Sequence, residues 1–199
     1  MICIVDYDAG NLRSVQKAVE YLGFTALLTS RASDLEKADK IIFPGVGAFG
    51  KTAEAMDKLG LRPVLIDQVQ KNKPFFGICL GLQLLFAESE ENPGVAGLGI
   101  LSGRVQRFPR TLKVPHLGWN VLTQNRDSIL FKDIPQDSYF YFAHSYYVLP
   151  DDPSVIIGQS EYDFMFPVAI QRENLYGVQF HPEKSQQHGL QVLRNFLQL

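Results

Sequence analysis

Pro74-Phe75-Phe76-Gly77-Ile78-Cys79-Leu80-Gly81-Leu82-Gln83 decides how this chain is read, because it sets a cysteine where an apolar strand gives way to a helix. Residues 74–78 have strand composition, and Leu80, Leu84 and Leu85 begin the apolar face of a following helix. Cys79 falls on the bend. Gly77 and Gly81 remove side chains on either side of it, permitting a tight strand-to-helix turn and the close approach of a partner residue or ligand. The start of a helix favours a thiolate through free N–H groups and the helix dipole. Cys79 is therefore a candidate nucleophile. Cys3 is a contrast: it lies in Met1-Ile2-Cys3-Ile4-Val5, a plain buried-strand run without glycine or turn, and reads as core packing.

Outward from the elbow, strands and helices alternate. Residues 1–5 read as strand, and Leu12, Val15, Val19 and Leu22 mark one helical face. A second strand spans 24–28, Ser33 or Asp34 caps a short helix, and a third strand over 40–43 ends in Pro44-Gly45-Val46-Gly47. Helices over about 48–59 and 62–72 lead into a fourth strand, 75–78. Such alternation predicts an α/β, flavodoxin-like fold, a mostly parallel central sheet with helices on both faces. Its ligand crevice lies beyond the carboxyl ends of the strands, where Cys79 and the Pro44–Gly47 loop meet. Past Glu90, strand candidates at 103–108, 114–121, 138–141, 155–162 and 168–171 with polar turns between them predict an antiparallel extension that continues or flanks the same sheet. A closing helix runs from Ser185 or Gln186 to Leu197, with Leu190, Leu193, Phe196 and Leu197 as its buried stripe. The whole chain, 1–199, reads as one domain.

Composition narrows the classes. With 46% apolar residues, a formal charge of -2 and no Lys/Arg block, the chain has material for a core and no footprint for nucleic acid or an acidic membrane. No apolar run approaches the ~20 residues of a membrane span, and Asp6 and Asp8 interrupt the N-terminal stretch before a signal-peptide core forms. The two cysteines offer no disulfide framework, which fits a reducing compartment and a cytoplasmic protein.

A second chemical cluster is Phe180-His181-Pro182-Glu183-Lys184. His181 and Glu183 share a side if the backbone is extended, so the carboxylate can hold the imidazole in one tautomer. A cysteine nucleophile needs such a base and an orienting third group. The segment alone also fits a surface turn with a half-buried histidine. Of the four histidines, which include His116, His144 and His188, His181 alone combines a strand end, a tethering proline and a neighbouring carboxylate.

The run G-I-C-L-G-L-Q, with F-H-P-E downstream and the early P-G-V-G, resembles the class I glutamine amidotransferases over essentially the whole chain. Within that class, I-V-D-Y-D-A-G-N-L-R-S-V, F-P-G-V-G-A-F-G, P-H-L-G-W-N and F-A-H-S-Y resemble the glutaminase subunits that feed a cyclase in histidine biosynthesis. The resemblance implies hydrolysis of L-glutamine through a cysteinyl thioester, with Cys79 as nucleophile, His181 as acid and base, Glu183 as its orienter, and neither cofactor nor metal. It implies an oxyanion hole from the backbone of Leu80 and of the Val46–Gly47 loop, through the Gly47 N–H. Val46, β-branched where relatives carry glycine, suggests that this donor is misdirected until a partner binds. Gln83, His144, Ser145, Tyr146 and Gly45 become substrate contacts. The implied partner is a cyclase subunit with a (β/α)8 barrel in a heterodimer, approached by Asp8, Asn11, Trp119, Asn120 and Lys184. A glutaminase serving another synthase, such as that of pyridoxal phosphate, and a non-enzymatic flavodoxin-like binding module are the competing readings.

Overall fold

The computed structural model describes residues 1–7 and 12–199. Its first half winds as β1 (Ile2–Val5), α1 (Leu12–Tyr21), β2 (Ala26–Thr29), α2 (Ala32–Lys37), β3 (Lys40–Gly45), α3 (Phe49–Lys58), α4 (Leu61–Gln70), β4 (Phe75–Cys79) and α5 (Leu80–Gln83). The second half adds β5 (Phe86–Ser89), β6 (Leu101–Arg107), β7 (His116–Gln124), β8 (Ser138–His144), β9 (Tyr146–Pro150), β10 (Ile156–Glu161), β11 (Met165–Arg172), β12 (Leu175–Val178) and α6 (Gln186–Leu197). A nine-stranded sheet runs β2-β1-β3-β4-β12-β11-β10-β7-β8. Its first five strands are parallel neighbours, and the four pairings from β12 to β8 are antiparallel.

Period-two alternation sorts the parallel strands between two cores. Ile4, Ile42, Phe76 and Ile78 face α1 and α6 through Val15, Val19, Leu193 and Phe196. Cys3, Val5, Ile41, Phe43 and Phe75 face α2, α3 and α4 through Leu35, Met56 and Leu65. Both faces are thus covered, which is why these strands are nearly continuous apolar runs.

Three expectations need correction. The helix after Cys79 is only four residues long, since the backbone beyond Gln83 pairs with residues 97–101: Leu98 N–H donates to Leu84 O at 2.7 Å and Ile100 N–H to Leu85 O at 2.9 Å. Leu84 and Leu85 are therefore buried in a turn leading to β5. Of the strands expected to extend or flank the main sheet, the one over 103–108 flanks it: as β6 it forms a three-stranded sheet, β5-β6-β9, whose Phe86, Leu101, Val105 and Val148 join the α3/α4 core. Arg31, not Ser33 or Asp34, occupies the cap position of α2 and makes no side-chain cap bond. In α6, Leu190 is half-buried, and Val192 and Asn195 fill the stripe beside Leu193, Phe196 and Leu197.

Candidate active site

Cys79 is the last residue of β4, with φ 55° and ψ −106°, a backbone conformation strained for a non-glycine residue. Two glycines make the bend possible. A Cβ on Gly81 would overlap the Phe43 carbonyl, and one on Gly77 would lie 2.9 Å from the Gly81 carbonyl group. The turn after the cysteine therefore lies backbone to backbone against β3 and β4. With so short a helix behind it, the dipole supplies little, and activation of the thiol rests on side chains.

His181 follows β12, which pairs in parallel with β4, so one sheet carries the candidate nucleophile and the candidate base at the same edge. His181 Nδ1 is 2.9 Å from Glu183 Oε1, and both side chains are almost wholly out of solvent, 3% and 0% exposed. Burial works against charge on the imidazole, but the negative charge and hydrogen bond of Cys79, with the bond and charge of Glu183, override it and push His181 up to about 10. The imidazolium form is favoured at neutral pH. The base is also stitched to β8: His181 N–H donates to Tyr141 O at 2.9 Å, Ser185 Oγ–H donates to His181 O at 2.7 Å, and Tyr141 N–H donates to Ser185 Oγ at 2.9 Å.

A cavity of about 350 Å³ opens over the sulfur, and its lining includes Val46, Gly47, Leu80, Gln83, Ser145 and Tyr146. Gly47 has φ 106° and open space where a Cβ would project, so its glycine is required by backbone conformation alone. Gly45 does not line this cavity. It is packed under the loop, where a Cβ would come within 2.6 Å of the Tyr7 hydroxyl and 2.8 Å of Leu80 Cβ. Tyr7, buried and held protonated chiefly by burial, donates to the Pro44 carbonyl at 2.8 Å and fixes the root of the same loop.

Gln83 lines the cavity, but its donors are spent within the protein: Nε2 donates to Tyr146 O at 3.0 Å and to Gln179 Oε1 at 3.1 Å. Its oxygen is the group left for a ligand. The His144 ring also turns inward. Tyr146 O only accepts, so His144 Nδ1 at 2.8 Å is the donor, His144 Nε2 accepts from His116 Nδ1 at 3.0 Å, and His116 Nε2 accepts from Asn120 Nδ2 at 3.2 Å. Burial pushes His116 down to about 4 and His144 to about 3, for His144 with the help of its histidine neighbours and against its bond to Tyr146 O. Both rings are neutral. His144 is thus no base.

Trp119 is 46% exposed, which rules out ordinary core packing, and its ring meets Tyr141 edge-on at 6.0 Å. Lys184 is exposed, with Nζ 5.9 Å from the centre of the Tyr141 ring. Asn120 is half-buried and its amide is fully engaged, donating also to Glu161 O at 2.8 Å and accepting from Val121 N–H at 2.8 Å. Asp8 and Asn11 lie outside the described residues.

Four residues of the site escape a motif reading. Gln179 shares strand parity with His181, a signal visible in the sequence, and its Nε2 lies 3.5 Å from Cys79 Sγ. Glu91 lines the cavity and accepts from Phe49 N–H at 2.8 Å, a contact 42 residues distant that no local pattern announces. Tyr7 and Ser185 act through backbone carbonyls.

A strained cysteine elbow, a buried His-Glu pair and a cavity at the carboxyl edge of a mostly parallel sheet define a cysteine amidohydrolase of the flavodoxin-like type, and the chain belongs to the class-I glutamine amidotransferase family, whose profile matches residues 3–199. Solved structures support the fold: a structure described as a glutamine amidotransferase superposes with TM-score 0.79 at 20% identity, covering 100% of this chain and 98% of that one. PurLQS from Thermotoga maritima also gives 0.79 at 19% identity, with 99% and 97% covered. Full-length relatives are more specific. The imidazole glycerol phosphate synthase subunit HisH of Methanothermobacter thermautotrophicus is 50% identical over 200 residues, 100% of this chain and 98% of the relative. The subunit of the same name from Moorella thermoacetica is 48% identical over 198 residues, covering 100% and 94%.

Proposed function

We propose that this chain is the glutaminase subunit of imidazole glycerol phosphate synthase, hydrolysing L-glutamine and supplying the ammonia for histidine biosynthesis. The observation that carries the reading is the buried Cys79-His181-Glu183 arrangement under a cavity of about 350 Å³. The Cys79 sulfur attacks the side-chain amide carbon, and the carbonyl electrons move to oxygen. The C–N bond then breaks as His181 gives its proton to the departing ammonia, leaving a glutamyl thioester. His181 next takes a proton from water, whose oxygen attacks the thioester carbon. The C–S bond breaks, releasing glutamate and restoring the sulfur and imidazolium.

The oxyanion formed twice on this path is stabilised by the backbone N–H groups of Leu80 and Gly47, with Val46 setting the orientation of the loop. One such donor contributes about a hundred- to thousandfold in rate. For the substrate head group, the Gln83 oxygen and the Glu91 carboxylate match an α-ammonium, and Ser145 and Tyr146 form the opposite wall. His144 serves by orienting Tyr146 O, and Gly45 by holding the loop.

Ammonia released here is of use only to an enzyme that captures it, in this reading a (β/α)8-barrel cyclase bound as a heterodimer in the cytoplasm. That subunit converts a phosphoribulosyl-formimino carboxamide nucleotide and ammonia to imidazole glycerol phosphate and an aminoimidazole carboxamide ribotide. Trp119, Tyr141 and Lys184 form the aromatic and basic surface that meets it, with Asn120 beside Trp119 on β7. The test is glutamate release by the chain alone, with the cyclase, and with the cyclase and its nucleotide. A stepwise rise supports the reading, whereas absence of glutamate in all three sinks it.

A further inference from the structure

Gln179 is wholly buried, and the chemistry just described gives it no task. Its amide has two ends, and the surrounding bonds determine which faces the nucleophile. The Tyr146 carbonyl can only accept, so the Gln83 nitrogen faces it at 3.0 Å. The remaining hydrogen of that nitrogen points at Gln179, 3.1 Å away, which obliges Gln179 to offer Oε1 there. Its Nε2 is left facing Cys79 Sγ at 3.5 Å, within the range of a sulfur acceptor. The backbone of Gln179 is itself anchored, its N–H donating to Val168 O at 2.8 Å.

We propose that Gln179 is a second activating group for Cys79, an N–H donor to the sulfur whose orientation is imposed by the chain Tyr146 carbonyl, Gln83, Gln179. A hydrogen bond from a neutral amide favours a charged sulfur over a neutral thiol and holds it in one position between attacks. It adds no proton that must move during the reaction, which separates its task from that of His181. Among the described residues, the titratable groups around the sulfur are His181, backed by Glu183, and Tyr7 on the loop side. Replacing Gln179 leaves all three in place. The proposal uses the nucleophile of the function proposed above, but the reactivity of the sulfur can be measured without glutamine.

The experiment is alkylation of Cys79 by iodoacetamide in the full chain, followed by intact mass and peptide mapping across pH, for wild type, Gln179→Met, Gln179→Glu and Gln83→Leu. Gln179→Met keeps length and burial without the donor; it is expected to alkylate about tenfold or more slowly at neutral pH, with its rising limb moved to higher pH. Gln179→Glu sets an acceptor against the sulfur, and the shift is expected to be larger. Gln83→Leu never touches the sulfur but frees the Gln179 amide to turn, and a smaller shift in the same direction is expected. Wild-type alkylation profiles in folded Gln179→Met and Gln179→Glu would overturn the proposal, as would an unchanged Gln83→Leu profile for the imposed orientation. If wild type alkylates at Cys79 with this pattern yet releases no glutamate with the cyclase and nucleotide present, the glutaminase reading fails and the assignment of Gln179 stands.

Discussion

At the scale of single residues, function rests on groups forced into unusual states. His181 is the clearest: as pH rises through about 10 its proton is lost, and with it the acid needed by departing ammonia. The sign follows from the causes. Glu183 raises the imidazole, so Glu183→Gln lowers it, and the alkaline limb of the kcat/KM profile moves to lower pH while the rate at neutrality falls about a hundredfold or more. A limb that stays put, read from a pH profile of glutamate release in the assembled enzyme, would deny Glu183 that role. Gly47 and Gly81 separate conformation from space. Gly47→Ala meets no atom of the described residues, so its φ of 106° carries the penalty, and the expected result is a folded protein whose glutaminase rate drops about tenfold or more. Gly81→Ala drives a methyl into the Phe43 carbonyl and is expected to lower thermal stability measurably. Activity assays and melting curves on the two variants distinguish these effects.

At the scale of elements, the sequence made some pieces legible and hid others for physical reasons. The parallel strands were legible as short apolar runs bounded by turns, and α1, α3 and α6 as amphipathic helices that bury one face against the sheet. The truncation of α5 was not legible, since Leu84 and Leu85 suit a helix and lose it only to hydrogen bonds from residues 98–101. The residues of the proposed triad stand out from local context, Cys79 from its glycines and His181 from the carboxylate two positions on. Gln83 and His144 were readable as members of the site but not in their orientation, which depends on partners such as Gln179 and His116 far along the chain. The joined β7 and β8 carry the neutral pair His116 and His144 among Phe108, Phe142 and Phe166. Their folded values, about 4 and 3, lie below the ordinary 6.5. As pH falls below about 6.5 the unfolded chain takes up protons that the native pair refuses, so stability falls progressively down to about pH 3–4. Urea titrations across this window are expected to show a shallower acid loss in His116→Asn than in wild type; equal slopes would mean the ring charges readily in place.

At the scale of the whole molecule, the proposed triad and the proposed partner surface are linked through the sheet. Trp119 and Tyr141 are register partners on β7 and β8, and the Tyr141 backbone is bonded to the segment of His181 and Ser185. A partner that settles on Trp119, Tyr141 and Lys184 therefore bears on strands directly bonded to the base. Trp119→Ala is expected to weaken cyclase binding about tenfold or more and to lower the share of glutamine-derived ammonia that reaches product, with the triad intact. Titration calorimetry and the ratio of product to glutamate measure these two effects, and unchanged values for both would remove Trp119 from the interface. The central claim is that glutamine is opened by Cys79. Cys3, in contrast, is buried in β1 with its thiol pushed up, chiefly by burial and also by Asp34. The most direct measurement is peptide mapping after inactivation of the assembled enzyme by a glutamine-like electrophile, with and without excess glutamine. One label per chain is expected, on Cys79, with loss of activity in proportion and protection by glutamine; a label on Cys3, or glutaminase activity surviving full modification of Cys79, would overturn the role of Cys79.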